Sequence, residues 1–306
     1  MFTLTLFQVI KMCLMLLVGF ICYKRKIVSE EGNRSLSNIL LLIINPLLIF
    51  QSFQVEKTPE LLHSFLLSLI VCICIFAILI PLGTLLLSRG ESRDRAVERF
   101  SVIYSNCGFM GIPIINALLG SRGVLLLTPY MAVFNFVVWT HGLLLMTGST
   151  NTKQLKKGLT SPVIFAMILG FIFFLTGISL PPILSETVAS ISGMNTPVAM
   201  LVAGVALAQS DLKKALQNPR LYLVAAIKLV LLPLILLLVF AWMPVSSDVL
   251  CINLIAAACP TAATCTMFSL RYGRDYHYAS EIYAFTTIMS MLTIPAYVFL
   301  LEQFIL

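Results

Sequence analysis

The sequence predicts an all-α polytopic membrane protein with ten transmembrane helices. Hydrophobic residues occupy 59% of its 306 positions and charged residues 11%, and the mean hydropathy is +0.99. A water-soluble domain carries about 25% charged residues, so lipid must surround most of this chain. A helix needs about 20 apolar residues to cross a bilayer, and runs of this length leave no room for a separate soluble domain.

Apolar runs place the ten spans along the chain. They are predicted at 4–22, 36–54, 62–88, 100–119, 123–147, 162–179, 186–208, 221–243, 248–270 and 278–303. We expect the first run to stay in the mature protein. Thr3 and Thr5 stand where a signal peptide has basic residues, and no small-residue cleavage site follows.

Basic residues predict the orientation of these spans, because lysine and arginine collect in cytoplasmic connections. Sixteen of the twenty follow the odd-numbered spans: Lys24, Arg25, Lys26, Arg34, Arg89, Arg93, Arg95, Arg99, Lys153, Lys156, Lys157, Lys213, Lys214, Arg220, Arg271 and Arg274. We therefore expect both termini outside a bacterial inner (cytoplasmic) membrane. The net charge of +7 reflects these orienting basic residues, and we predict no nucleic-acid partner from it.

The two halves of the chain resemble each other weakly at an offset of 151 positions, which aligns Pro46 with Pro197 and Gly19 with Gly170. Asn45 falls beside Asn195 at nearly the same offset. The predicted halves are 1–148 and 161–306, joined by a cytoplasmic linker at 149–160. Five spans is an odd number, so the second half enters from the opposite side, as in inverted-repeat transporters. The alternative is chance recurrence of proline and glycine.

Spans four and nine contain residues that interrupt helices. Span four has weak helix formers within eight residues, and Pro260 in span nine removes an amide donor. The residues concerned are Asn106, Gly108, Gly111, Pro113, Pro260 and Thr261. Broken helices at matching positions of two halves indicate a binding site, and their amide-rich N-terminal ends favour anions. The alternative is a pair of kinks that only shape packing.

These segments carry a family resemblance. Asn-Cys-Gly-Phe-Met-Gly-Ile-Pro-Ile-Ile at 106–115 resembles the fourth-helix crossover motif of the auxin efflux carrier family. That family includes the plant PIN auxin exporters and bacterial carriers described as malate or malonate permeases. Further matches are Asn45-Pro-Leu-Leu-Ile-Phe, Phe134-Asn-Phe-Val-Val-Trp-Thr, and Cys259-Pro260 leading to Arg271-Tyr-Gly-Arg-Asp275. Their order and spacing extend over the whole chain.

The resemblance implies a 5+5 inverted repeat with crossed, interrupted helices four and nine, similar to NhaA and bile-acid symporters. It also implies a homodimer through helices two and seven. Asn106 matches the crossover asparagine that contacts a carboxylate substrate in the plant proteins, and Asn135 matches an amide near that site. Two features depart from the plant pattern. Ser105 replaces a proline, and span three lacks the acidic and basic pair of the plant support site.

The predicted site residues fall into three sets. Substrate binding is assigned to Asn106, Cys107, Gly108, Asn135, Pro260, Thr261, Asn45 and Asn195. Hinge or crossover roles are assigned to Gly111, Pro113, Pro46, Pro197 and Pro260. Charge or coupling roles are assigned to Lys228, Glu281 and His141.

The charged residues within spans have two interpretations each. Lys11 and Lys228 are either cationic walls of an anion path or side chains that snorkel to the headgroups. Glu281 is either a proton carrier or the partner of Arg271 or Arg274, which is the favoured interpretation. His141 is placed on a different helix face from Asn135.

The predicted function is secondary active transport of a small organic anion, a carboxylate, by alternating access, coupled to protons or sodium. The alternative is a transporter-like sensor that binds its ligand without net transport. No catalytic cluster is visible, so an enzyme is not predicted. No cofactor and no metal site are expected, because the eight cysteines lack metal-ligand spacing.

Overall fold

The computed structural model describes residues 1–148, 161–210 and 212–305, and every regular element in these ranges is helical. The helices are α1 (Phe2–Lys24), α2 (Glu30–Ser52), α3 (Pro59–Leu86), α4 (Arg95–Ile103), α5 (Cys107–Thr147), α6 (Pro162–Thr176), α7 (Pro182–Gln209), α8 (Leu212–Gln217), α9 (Pro219–Phe240), α10 (Ser247–Ala258), α11 (Thr264–Arg271) and α12 (Tyr276–Phe304). The predicted linker at 149–160 lies outside the described residues.

Seven of the described helices are long and apolar enough to cross a membrane: α1, α2, α3, α5, α7, α9 and α12. The helices α6 and α10 are apolar but shorter. The 41-residue α5 is not one straight rod, because Gly120 has a φ of 58° and a ψ of −152°, outside helical geometry. A side chain at such a positive φ is strained, so glycine permits this kink. The chain is therefore a polytopic, all-helical membrane protein.

Three of these helices widen into a π-helical turn that ends two positions before a proline, and a further π-helical turn in α5, Val138–Gly142, has no proline after it. Proline lacks an amide donor, and its ring clashes with the carbonyl group four residues earlier. A wider turn is one way for a helix to continue past this clash. The turns and their prolines are Leu40–Ile44 with Pro46, Cys107–Gly111 with Pro113, and Ile227–Leu231 with Pro233.

Most contacts between helices fall within two groups. The first group is α1, α2, α6 and α7, and the second is α3, α4, α5 and α9 to α12; α1 also packs on α12, and α1, α2 and α7 contact α5. In the first group, α1 and α7 approach through Gly19 and Gly204, where an added Cβ would overlap the carbonyl oxygens of Leu201 and Leu16 respectively. Small residues at helix contacts permit such close backbone approach in membranes.

In the second group, polar side chains join helices inside the apolar core. Asn253 of α10 donates to the Ser68 hydroxyl of α3 at 2.7 Å, and Ser68 donates to the Leu126 carbonyl of α5 at 2.7 Å. Tyr297 of α12 donates to the Pro233 carbonyl of α9 at 2.9 Å. These bonds satisfy buried polar groups and fix the register between the helices.

Gly204→Ala should destabilise the protein, because the new methyl group would overlap backbone rather than a flexible side chain. Overpacking of this kind costs about 1–3 kcal/mol. The unfolding temperature of the purified protein in detergent measures the effect. Gly32→Ala is the matched control, since its Cβ would lie 3.4 Å from the Ser29 Oγ, an ordinary contact. Equal unfolding temperatures for the two variants would contradict the close packing of α1 and α7.

Candidate functional site

The chain leaves helical geometry at two places that are far apart in sequence. After α4, Tyr104 is extended, with a φ of −101° and a ψ of 122°. After α10, Cys259 is extended, with a φ of −57° and a ψ of 153°. Proline disfavours the α conformation of the residue before it, so Pro260 explains the second interruption. The first has no proline, and Asn106 is the poor helix former there. Gly108, Gly111 and Pro113, also predicted to interrupt this helix, lie within the helical start of α5.

The two interruptions pair with each other. Asn106 donates its amide to the Pro260 carbonyl at 2.7 Å, and Ala262 donates its amide to the Tyr104 carbonyl at 3.0 Å. Ser105 and Thr261 face each other as an isolated antiparallel bridge. Buried backbone groups need partners, and each extended segment supplies partners for the other. The C-terminal ends of α4 and α10 and the N-terminal ends of α5 and α11 therefore meet in one region.

Asn106 is buried at this meeting point, with 5% of its surface exposed. Its backbone carbonyl accepts from the amides of Met110 and Gly111 at 3.1 and 3.3 Å. Its side-chain Nδ2, however, has no hydrogen-bond partner among the described residues. The Tyr283 hydroxyl of α12 lies beside this amide and beside the Thr287 hydroxyl. An unpartnered buried donor is costly, so an acceptor group at this helix N-terminus would stabilise the site.

Space is open beside the predicted binding residues of α5. A Cβ on Gly108 would meet no described atom within 4 Å, and Cys107 is buried just before it. Gly111 is more confined, with the Cys259 Sγ 3.5 Å from its Cβ position. Thr261 is already engaged, because its amide donates to the Thr286 Oγ1 at 3.3 Å and its hydroxyl donates to the Ser101 carbonyl at 3.2 Å.

Lys228 of α9 contacts the paired segments where the C-terminal ends of α4 and α10 meet. Its Nζ donates to the Ser105 Oγ at 2.6 Å and to the carbonyl oxygens of Val102 and Ala257, each at 3.3 Å. Only 1% of its surface is exposed. The snorkelling interpretation of Lys228 is therefore wrong. Lys11, in contrast, is exposed.

Asn45 and Asn195 bond to each other rather than to the residues of the interruptions. The Asn195 Nδ2 donates to the Asn45 Oδ1 at 2.5 Å, and both side chains are buried between α2 and α7. The adjacent Pro197 and the predicted hinge residue Pro113 line a cavity of about 310 Å³ together with Lys11. Gln8 and Asn116 add amide groups to the same cavity.

Asn135 and His141 occupy the later part of α5. The Asn135 Nδ2 donates to the Met131 carbonyl of its own helix at 2.8 Å, and the residue is only half-buried. The His141 Nδ1 lies 2.8 Å from the Tyr104 hydroxyl. His141 therefore contacts the first extended segment, whereas the hydrogen bond recorded for Asn135 is local.

Glu281 does not pair with Arg271 or Arg274, as the sequence favoured. Its partner is Arg93, whose Nη1 lies 3.3 and 3.4 Å from the two carboxylate oxygens, and Arg93 also holds Asp275. Arg274 instead donates to the Met146 carbonyl at 2.7 Å. The prediction failed because the connection between α3 and α4 folds over the start of α12, a long-range contact without a local sequence signal.

Comparison with known proteins identifies the family of this chain. The family model described as "Membrane transport protein" matches residues 4–298. The chain belongs to the membrane transport protein family. This is the auxin efflux carrier family that the motif at 106–115 resembles, so the sequence-based recognition is confirmed.

Relatives of this transport protein share its whole length. An "Uncharacterized transporter" of Methanothermobacter thermautotrophicus is 24% identical over 298 residues, covering 94% of this chain and 95% of the relative. The "Uncharacterized transporter YfdV" of Escherichia coli K12 is 23% identical over 315 residues, covering 98% of each chain. A protein of the same name from Shigella flexneri matches equally.

The transport protein also contains a buried ion pair that the sequence analysis missed. Glu98 of α4 is fully buried and accepts from the Arg220 Nε and Nη2 at 3.0 and 2.8 Å and from the Tyr278 hydroxyl at 2.7 Å. Arg220 and Tyr278 line a cavity of about 830 Å³ that Arg93 also borders. Glu98 was overlooked because the predicted fourth span began at residue 100, two positions later.

Arg220→Ala should destabilise this transport protein strongly, because it leaves the buried Glu98 carboxylate with only the Tyr278 hydroxyl. Removing one partner of a buried ion pair costs about 3–5 kcal/mol. Arg122→Ala is the matched control: its pair with Asp248 is 3.6 Å long and exposed, and such pairs contribute about 0–1 kcal/mol. The unfolding temperatures of the two variants are measured together. An equal decrease in both would refute the structural role of Glu98.

Proposed function

We propose that this family member is a secondary active transporter of a small organic anion, a carboxylate, working by alternating access. The observation that carries the proposal is the buried Asn106 Nδ2, which has no hydrogen-bond partner among the described residues. It stands at the N-terminal start of α5, next to the open space beside Gly108.

The electrostatics of the site favour an anion. A helix N-terminus carries about half a positive charge, since its first amides have no acceptor within the helix. The starts of α5 and α11 both adjoin the paired segments. An amide side chain can bind a carboxylate without a permanent charge of its own, which leaves release possible on the other side of the membrane. Cys107, Gly108 and Asn106 are the proposed contacts.

The proposal includes the finer architecture expected from the sequence: ten spans in a 5+5 inverted repeat with spans four and nine crossing. Three observations support it. Spans four and nine leave helical geometry at 104–106 and 259–263, these interruptions pair, and the counterpart residues Asn45 and Asn195 bond to each other. We place both termini outside the bacterial inner membrane, as the basic residues indicate.

A ligand sensor without net transport is the second candidate. It shares the binding site but needs no route to the other side. Uptake of labelled malonate, malate or indole-acetate into proteoliposomes separates the two functions. Binding without uptake of any carboxylate tested would favour the sensor.

Asn106→Ala should weaken carboxylate binding about ten- to a hundredfold. A donor to a charged acceptor contributes about 1.5–3 kcal/mol, which corresponds to that range in affinity. Binding is measured as the rise in unfolding temperature across a titration with mono- and dicarboxylates. The control is Asn253→Ala, a buried asparagine whose Nδ2 is already bonded to Ser68 and Val249. It should lower stability and leave affinity unchanged. Unchanged affinity in Asn106→Ala would show that the carboxylate binds elsewhere in the protein.

We also propose a homodimer through α2 and α7, as the family resemblance implies. Apolar side chains of both helices are exposed, including Leu42 and Ile183. A photo-reactive residue at Leu42 should therefore cross-link two copies in native membranes. The same residue at Ile70 of α3, which is equally exposed, should not. Cross-linking from Ile70 alone would contradict this interface.

A further inference from the structure

The extended segments leave two helix C-terminal ends side by side. The helix α4 ends at Ile103 and α10 ends at Ala258. The carbonyl groups in the last turn of a helix have no amide partner within it, and together they carry about half a negative charge. Two such ends that meet amount to about one negative charge. Buried in a membrane protein, this charge must be compensated.

The Lys228 ammonium group occupies this location. Its hydrogen bonds reach one carbonyl from each helix end, Val102 of α4 and Ala257 of α10, and the Ser105 hydroxyl between the segments. No carboxylate of the described residues lies within ion-pair distance of it. The π-helical turn Ile227–Leu231 before Pro233 carries Lys228 at this position. The cation is therefore balanced by helix ends rather than by an acidic side chain.

Carbonyl and hydroxyl oxygens are also the type of ligand that a small monovalent cation would use. We propose that Lys228 is a built-in counter-cation for the ends of α4 and α10, so that the protein requires no sodium ion there. The N-terminal ends of α5 and α11, which carry partial positive charge, then remain available to the anion. The consequence for transport rests on the proposed function. If the protein transports an anion, a sodium ion bound between these two helix ends is not the coupling ion.

The first test uses the unaltered protein. Its unfolding temperature is measured in sodium chloride and in choline chloride of equal ionic strength, because choline is too large for a site of three oxygens. The proposal expects equal temperatures in the two salts. A specific stabilisation by sodium would show that a cation binds with Lys228 in place, and would overturn the proposal if the crossover variant Ser105→Ala abolished it.

The second test removes the Lys228 ammonium group. Lys228→Ala should lower the unfolding temperature in choline by about 5 °C, and sodium or lithium should restore part of that loss. Lys24→Ala, which removes an exposed charge at the end of α1, should show neither effect. A loss of stability that no small cation restores would make Lys228 a packing residue and overturn the proposal. An unchanged unfolding temperature would do the same.

Both measurements need no substrate, so their outcome is separate from that of the proposed function. If no carboxylate binds the unaltered protein, the anion site fails while the role of Lys228 is still decided by its response to cations. If Lys228→Ala cannot be purified, the salt comparison on the unaltered protein and on Ser105→Ala still decides it.

Discussion

The backbone pairing of the two extended segments is the constraint on which the site depends. In a membrane, an interrupted helix exposes amide and carbonyl groups that neither water nor lipid can satisfy. Here the Asn106 amide bonds to Pro260 and the Ala262 amide bonds to Tyr104, so each interruption is stabilised by the other. Neither segment could remain extended at this depth alone, which couples positions about 155 residues apart in the sequence.

This pairing also brings helix ends of like sign together. The carbonyl-rich ends of α4 and α10 contact Lys228, and Asn106 and the open space beside Gly108 adjoin the amide-rich start of α5. A single interrupted helix would place both ends in one spot, and their potentials would largely cancel. A cation fixed at the two carbonyl-rich ends offsets their negative potential, so the positive potential of the amide-rich starts is less compensated. The potential that an anion would meet therefore depends in part on Lys228.

The sequence predicted the parts of this arrangement that have local causes. Low charge content identified the membrane class, Pro260 and Asn106 lie at the two interruptions, and the motif at 106–115 identified the family. The contacts of Glu98 and Glu281 could not be predicted in the same way. Their partners Arg220 and Arg93 are 122 and 188 positions distant, and only the packing of α4, α9 and α12 brings them together. Lys228 was noticed as a charge in an apolar span, but its environment required the fold.

The two packing groups are held together internally and also contact each other. Within the first group, α1 and α7 meet backbone to backbone at Gly19 and Gly204. Within the second, Glu98 and Arg220 hold α4 against α9. Across the boundary, Gln8 reaches the Pro113 carbonyl at 3.4 Å and Ser210 reaches the Ser280 carbonyl at 3.3 Å. Glu302 of α12 also pairs with the N-terminal amine and accepts from the Phe2 amide of α1 at 2.8 Å. In the proposed alternating access, the paired segments and Lys228 belong to the second group and would move as one unit past the first, which would exchange these boundary contacts.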